Sequence, residues 1–269
     1  MSLKIIVLAK QVPDTRNVGP DAMTPEGTVN RAALPAVFNP EDLNALEQAL
    51  RLKDANPGST ITMITMGLPK AAEVLKEGIY RGADEGILVS DRPLGGADTL
   101  ATSYTLAQAI KKVGDYDIIL CGRQAIDGDT AQVGPQVAEK LGLTQITYTE
   151  EIISLDKTAG KIVAKRHIDG GVETVEGPLP IVVTVNGSAA PCRVRNVKRV
   201  WANKNREFHV WGAADIEADP AQIGKAGSPT NVKAVKSIVF KAKENKTLTS
   251  SDADVESLIV ELMESNTIG

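Results

Sequence analysis

Short apolar runs alternate with stretches whose apolar positions recur every three or four residues through the first half of the chain. Lys4–Leu8, rich in β-branched residues, predicts a buried strand. Ser59–Thr65, Glu85–Val89 and Tyr116–Cys121 predict three more. Between them lie helical patterns. Asn39 is placed to cap a helix with Pro40 at its first position, and Leu43, Leu46 and Leu50 recur at helical spacing up to Lys53. Pro69–Tyr80 carries Ala72, Val74, Leu75 and Ile79; Asp98–Lys112 carries Leu100, Tyr104, Leu106 and Ile110. Strands and helices alternating in this way predict βαβ units and a parallel sheet covered on both faces.

The pattern changes after about residue 144. Gln145–Thr149, Glu151–Leu155, Lys161–His167 and Pro180–Val185 are strand-like and follow one another without long helices, with a turn signal at Asp169-Gly170-Gly171. They are expected to be antiparallel strands added to the parallel sheet. Residues 187–230 read as irregular. Val232–Phe240 predicts a strand, Lys241–Ser251 a polar connector, and Ser251–Glu264 a helix with Val255, Leu258, Ile259 and Leu262 on one face. The expected organisation is a domain over 1–230 and a C-terminal arm over 231–269 whose apolar stripe docks on this chain or a partner. Lys10–Phe38 holds no clear element beyond a hairpin, and a loop that long in a compact domain is usually functional.

Composition narrows the classes. The 269 residues are 42% hydrophobic and 24% charged, with 30 Lys+Arg against 34 Asp+Glu, for a net charge of −4. Only 3% are aromatic, so the core must be aliphatic. No apolar run approaches the ~20 residues of a membrane span. The start, Met1–Leu8, carries no small-residue cleavage site, so no secretory signal is expected. Two Cys cannot build a disulfide framework, and with two His they make a poor metal site. The mild acidic balance argues against nucleic acid. A reduced, cytoplasmic setting is expected.

Neither a dinucleotide fingerprint, a P-loop nor a nucleophile elbow is present. Two loops nevertheless sit where open α/β sheets bind ligands, after a strand and before a helix. The first is Val89–Ser103. Gly95-Gly96 allows close backbone approach, Asp98 can cap the helix, and Thr99, Thr102 and Ser103 surround its first turn, a setting that favours a phosphate. A plain glycine turn and a capped helix explain the same residues. The second is Cys121–Pro135. Asp129 and Gln132 have capping-box spacing, but a cap leaves Arg123, Gln124 and Asp127 unexplained. His167 and His209 have no carboxylate or Cys neighbour at ligand spacing and are expected at the surface. Cys121 is expected to be an inert core thiol, and Lys241–Lys246 a solvated face.

At these loops the sequence resembles the beta subunit of electron transfer flavoproteins, over nearly its whole length. The resemblance rests on Lys4–Asp14, Phe38–Asp42, Thr65–Gly67, Gly82–Asp84, Cys121–Asp129, and Ala164–Glu173 continuing to Leu179–Thr184. It implies an adenine nucleotide alpha-hydrolase-like α/β fold, with the C-terminal arm reaching onto an alpha subunit. In ordinary members of the family the beta subunit holds AMP; in the flavin-bifurcating group it holds a second FAD. The Ser90–Ser103 pattern and the start Lys10–Thr15 resemble the bifurcating group. By matching position, the adenosine and its phosphate are expected on Leu8, Ala9, Asn39, Met66, Arg123, Gln124, Ala125, Ile126, Asp127, Ala131, Gln132 and Val133. The pyrophosphate and flavin are expected on Ser90, Asp91, Gly96, Ala97, Asp98, Thr99, Leu100, Thr102 and Ser103. Asn39 can equally be a helix cap, and Met66 simple core.

The resemblance implies electron transfer without catalytic side chains. NADH would supply electrons, with ferredoxin or flavodoxin as the low-potential acceptor. The alpha-subunit FAD and an acyl-CoA or other dehydrogenase, or a quinone reductase, would take the rest. The partner-recognition segment corresponds to Pro191–Trp201. Trp201–Asn205 departs from the Lys-rich helix of ordinary members, which puts the identity of the dehydrogenase in doubt. Three alternatives stand beside this reading: AMP as a structural ligand, a nucleotide-binding regulator without redox function, and an ATP-using pyrophosphatase-loop enzyme. For the last, Leu94 stands where that loop has Ser, and the loop follows the third predicted strand instead of the first. Neither ligand loop contains an aromatic residue, Tyr104 lying just beyond, so a flavin ring would be sandwiched by other groups, including the alpha subunit.

Overall fold

Successive residues of Lys4–Leu8 (β1) face opposite sides of a sheet: Ile5 and Val7 join one apolar cluster, Ile6 and Leu8 the other. The computed structural model describes residues 2–14, 35–230 and 246–268. After β1 a hairpin pairs Gln11–Pro13 (β2) with Ala36–Phe38 (β3). The elements that follow are Pro40–Ala55 (α1), Thr60–Met66 (β4), Ala72–Arg81 (α2), Glu85–Val89 (β5), Thr99–Val113 (α3), Ile118–Gly122 (β6) and Val133–Leu141 (α4). Then come Thr144–Asp156 (β7), Lys161–Ile168 (β8), Gly171–Pro178 (β9), Ile181–Val185 (β10), Val197–Asn203 (α5), His209–Trp211 (β11) and Asp252–Glu264 (α6).

The main sheet runs β11-β5-β4-β1-β6-β10-β7-β8-β9. Every pair from β11 to β7 is parallel, and β8 and β9 are antiparallel. From β1 the chain winds outward through β4 to β5, then returns to β6 on β1's other side. The winding therefore reverses between β1 and β6. Leu46, Leu50, Leu75 and Ile79 of α1 and α2 pack on one face of the sheet; Leu106, Ile110, Val137 and Ala138 of α3 and α4 pack on the other. Both clusters are aliphatic, as the scarcity of aromatics requires. Phe38 is the sole aromatic among the buried described residues.

Four expectations are corrected. The run after 144 is not wholly antiparallel: β10 is buried at all five positions and lies parallel between β6 and β7. Gln145–Thr149 and Glu151–Leu155 form one bulged strand, β7. Gly171–Pro178 is a strand although it reads as polar, because it completes a hairpin with β8 and needs little burial of its own. Within 187–230, read as irregular, α5 and β11 are too short to show a period.

The chain divides into two compact units, Met1–Ala234 and Val235–Gly269. In the second, α6 is capped by Ser251, which accepts the Asp254 N–H, and Val255, Leu258, Ile259, Val260 and Met263 are exposed. The strand expected at Val232–Phe240, and residues 15–34 of the long loop expected over Lys10–Phe38, lie outside the described residues. No described helix is long and apolar enough to cross a membrane. No group of three or more described His, Cys, Asp or Glu residues is placed to hold a metal.

Candidate functional site

The carboxyl ends of β1, β4, β5 and β6 open into a cleft of about 900 Å³. It lies at the reversal point, where an open parallel sheet leaves a crevice for ligands. Leu8, Ala9, Ile64, Met66, Val89 and Cys121 line it from the sheet, and the loops 90–99 and 122–134 form its walls.

The 90–99 wall is stitched to the segment that follows β11. Ser90 donates its N–H to Trp211 O (2.9 Å), and Asp91 accepts the N–H groups of Arg92 (2.7 Å) and Ala213 (3.0 Å). Asp98 is the N-cap of α3, accepting from Leu100 (2.9 Å) and Ala101 (3.0 Å) with one oxygen and from Thr230 (3.1 Å) with the other. Partial burial raises its carboxyl, but the N–H bonds from Ala101, Thr230 and Leu100 outweigh this and hold it below the ordinary carboxylate range. Gly96 has φ +76°, open to glycine at no cost. The N–H groups of Gly96, Ala97 and Thr99 make no hydrogen bond with another described residue. Unspent amides at a helix N-terminus suit an anion.

The 122–134 wall is held from α1. Asn39 is fully buried. Its Nδ2 donates to Gln124 O (2.9 Å) and its Oδ1 accepts the Ile126 N–H (3.2 Å). It occupies the N-cap position of α1 but makes no cap bond, because its amide is spent on this loop. Glu41 takes the Arg123 guanidinium and the Gln124 N–H, both at 2.9 Å. The guanidinium also lies 5.3 Å from the Tyr148 ring centroid, so Arg123's charge is used inside the fold. The Glu41 bond is the main cause that raises its pKa. Asp42 accepts N–H groups from Lys10 and Gly122, each at 2.8 Å, and Lys10 Nζ pairs with Asp127 (2.6 Å).

The capping box expected at Asp129 and Gln132 is not formed. Asp129 has φ 48° and accepts from the Gln124 side chain (2.8 Å); Gln132 itself precedes α4 and accepts the Thr99 hydroxyl (2.7 Å). Asp129 and Ala131 both adopt left-handed backbone, with φ 48° and 52°. Two non-glycine residues so close in that region mark local strain of the kind found at binding sites.

Of the residues expected to touch a nucleotide, Leu8, Ala9, Asn39, Met66, Ser90, Asp91, Gly96, Ala97, Asp98, Thr99, Thr102, Arg123, Gln124, Ala125, Ala131, Gln132 and Val133 line the cleft. Four do not. Leu100 is 40% exposed on α3. Ser103 is fully buried, its hydroxyl reaching Leu100 O (2.8 Å) and Gln136 Oε1 (3.1 Å) between α3 and α4. Ile126 gives its N–H to Asn39, and Asp127 is turned onto Lys10. Sequence reading missed Lys10, Asp42, Arg92 and the 67–69 turn, which line the cleft. Asp42 was hidden because an acidic first turn is ordinary helix chemistry. Burial pushes its carboxyl up to about 7; the Lys10 and Gly122 amides and Asn39 offset part of this, and Glu41 adds to it. Burial, with Asp42 and Glu41 nearby, also raises the Cys121 thiol, which suits an inert group. No aromatic residue among those described lines the cleft.

A second region is built on arginines held by carboxylates and backbone carbonyls. Glu47 accepts from the Arg193 backbone N–H (2.9 Å) and guanidinium (3.0 Å), Asp54 takes Arg193 again (2.8 Å), and Glu77 takes Arg195 (2.9 Å). Arg199 donates to Ile79 O (2.7 Å). Val194, Val197 and Trp201 are left exposed at 84%, 82% and 75%. At the far end of the sheet, strand pairing sets His167 Nδ1 3.2 Å from Glu150, a carboxylate neighbour that sequence spacing did not give it.

Residues 26–215 match the model of the electron transfer flavoprotein domain. The chain is 46% identical over 231 residues to the electron transfer flavoprotein subunit beta of Clostridium acetobutylicum, covering 86% of each chain. It belongs to the electron transfer flavoprotein beta-subunit family. Two other relatives are the caffeyl-CoA reductase-Etf complex subunit CarD of Acetobacterium woodii (45% over 230 residues, 86% of each chain) and the protein FixA of Azotobacter vinelandii (38% over 257 residues, 94% of this chain and 90% of that one). As an electron transfer flavoprotein beta subunit it serves electron transfer as part of a flavoprotein. Family membership favours this over an ATP-using pyrophosphatase-loop enzyme.

Proposed function

We propose that this beta subunit holds FAD in the cleft and works, with an alpha subunit, in flavin-based electron bifurcation. The observation that carries the reading is the reach of the cleft. It runs from the 122–134 wall, where the adenosine of either nucleotide would lie, to the unspent amides of Gly96, Ala97 and Thr99 at the other wall. AMP alone has no use for that second anion cradle, whereas a pyrophosphate does. The volume supports this, lying near the top of the roughly 300–1,000 Å³ range of small-molecule sites.

A bound FAD supplies two-electron acceptance and one-electron release. The chain's part is to bind and orient it. Ala9, Asn39, Gln124, Ala125 and Gln132 would hold the adenosine end; Ser90, Gly96, Ala97, Thr99 and Thr102 would hold the pyrophosphate and flavin side. The complex would draw electrons from NADH, delivering one to ferredoxin or flavodoxin and the other through the alpha subunit to a dehydrogenase. The exposed apolar stripe of α6 would dock the 231–269 arm on the alpha subunit, and Val194, Val197 and Trp201 would meet the dehydrogenase. Two free cysteines, Cys121 and Cys192, suit a reducing cytoplasm.

The test is the nucleotide content of the purified alpha–beta complex. Two FAD per heterodimer is expected. One FAD with one AMP would replace this reading with AMP as a structural ligand. A colourless complex would favour a regulator without redox function.

A further inference from the structure

The pairing between β1 and β6 ends at Val7 and Leu120, and beyond it Leu8–Lys10 and Cys121–Gly122 line the gap of the cleft. Asp42, in the first turn of α1, spans that gap. Its Oδ2 accepts the Lys10 N–H and its Oδ1 the Gly122 N–H, both at 2.8 Å. The contact leaves no slack: a Cβ on Gly122 would lie 2.6 Å from Oδ1 and 2.8 Å from the Asp42 nitrogen. Asp42 is 6% exposed, yet it lines the cleft.

We propose that Asp42 is a positioning residue for the nucleotide, a carboxylate splint that fixes both strand ends at the reversal point only while it is ionised. The reason is donor and acceptor arithmetic. A carboxylate offers two acceptor oxygens to two N–H donors. A neutral carboxylic acid or an asparagine turns one of those positions into a donor, leaving one buried N–H facing another donor.

The surroundings keep the splint near its titration point. Of the other polar groups around Asp42, Glu41 is engaged by Arg123 and the Gln124 N–H, Asp127 is paired with Lys10 Nζ, the Cys121 thiol is buried, and Asn39 is a neutral amide. Burial and Glu41 bring Asp42 to about 7, so both states are populated near neutral pH. Above that pH Lys10 and Gly122 are both held; below it one of them is released.

The inference rests on the nucleotide reading above, and the experiment separates the two. FAD is the probe, because it carries no group that titrates near neutrality. Its affinity is measured for the nucleotide-stripped alpha–beta complex between about pH 6 and pH 8.5, a range that brackets the Asp42 titration. With wild type, affinity should fall roughly tenfold as the pH drops through 7, the effect of one unpaired buried N–H. Asp42→Asn should be weak at every pH, without that slope. Affinity that is flat or rises on acidification in wild type overturns the splint, as does a variant with the wild-type profile. If Asp42→Asn does not fold, the wild-type profile decides alone. A wild-type complex that takes up neither FAD nor AMP overturns the nucleotide reading and this inference together; uptake of FAD with a flat profile overturns the splint only.

Discussion

The hydroxyl of Thr99 donates to Oε1 of Gln132 over 2.7 Å. One residue begins α3 and the other precedes α4, so this bond ties the two walls of the cleft where a bound nucleotide would pass between them. Thr99→Val keeps the shape and deletes the donor. The bond is solvent-accessible, so the urea midpoint should barely move. FAD affinity of the alpha–beta complex should fall several-fold, since a net hydrogen bond contributes about 0.5–1.5 kcal/mol. Unchanged affinity would show that the walls do not need this tie.

Asp98 serves two elements at once, the first turn of α3 and Thr230. Asp98→Ala should cost about 1–2 kcal/mol in urea unfolding, the usual range for a lost cap with an added tie. The sign with pH follows from its lowered pKa. A carboxylate depressed in the fold stabilises above its unfolded value of 3.8, and loses that contribution as pH falls through the folded value. The gap between wild type and variant should therefore narrow in acid below about pH 4. A gap that widens there contradicts the assignment.

The sequence made the strands and helices up to Cys121 legible because each is long enough to show its period. Pro40, Asp98 and Ser251 marked three helix starts correctly, since capping chemistry is local. What stayed hidden depends on contacts distant in sequence. β9 exists because β8 lies beside it, and the buried place of β10 is fixed by β6 and β7. The same holds in the site. The two loops announced themselves, but Asn39 reads as a cap and is instead fastened to Gln124 and Ile126, more than eighty positions away. Arg123 is expected, by the resemblance, in the loop around the adenosine and its phosphate; it lines the cleft, yet Glu41 and Tyr148 claim its charge.

Asp42 makes a separate prediction for stability. Its folded pKa is raised from 3.8 to about 7, so between those values the folded state binds the extra proton. Stability contributed by this group is full in acid, falls as pH rises through that window, and levels off above about 7. Urea midpoints of the nucleotide-free protein should decline from pH 5 to about pH 7.5 by this linkage. A rise over that range would mean that Asp42 ionises freely in the fold.

Ala131 holds φ 52° beside the cleft. Left-handed backbone costs a non-glycine residue about 1 kcal/mol or more. Ala131→Gly should raise stability by up to about 1 kcal/mol, after the greater freedom of glycine in the unfolded chain is set against it. FAD affinity should not improve, because the strain keeps the loop in one conformation. Lower stability in the variant would show that the loop is relaxed as it stands.

Trp201 stands 75% exposed, with Lys204 Nζ 4.4 Å from its ring centroid, on a segment whose Arg193 and Arg195 are held in ion pairs. An isolated protein gains nothing from this arrangement: Arg193 and Arg195 are tied to Glu47, Asp54 and Glu77, and Val194, Val197 and Trp201 are turned out to water. It makes sense as a preformed contact surface, where rigid aromatic anchors carry binding energy at little entropic cost. Trp201→Ala should therefore leave urea stability within about 0.5 kcal/mol, as for a surface change. FAD content should be unaltered. Electron transfer to the cognate dehydrogenase should weaken through KM, with kcat little changed, because the residue acts in docking. Loosening the segment from beneath by Arg193→Met should weaken the same step, and it should also lower stability, since Glu47 would lose the guanidinium that offsets its burial. If Trp201→Ala lowers kcat with KM unchanged, or lowers flavin content, the surface serves the cofactor site and not the partner.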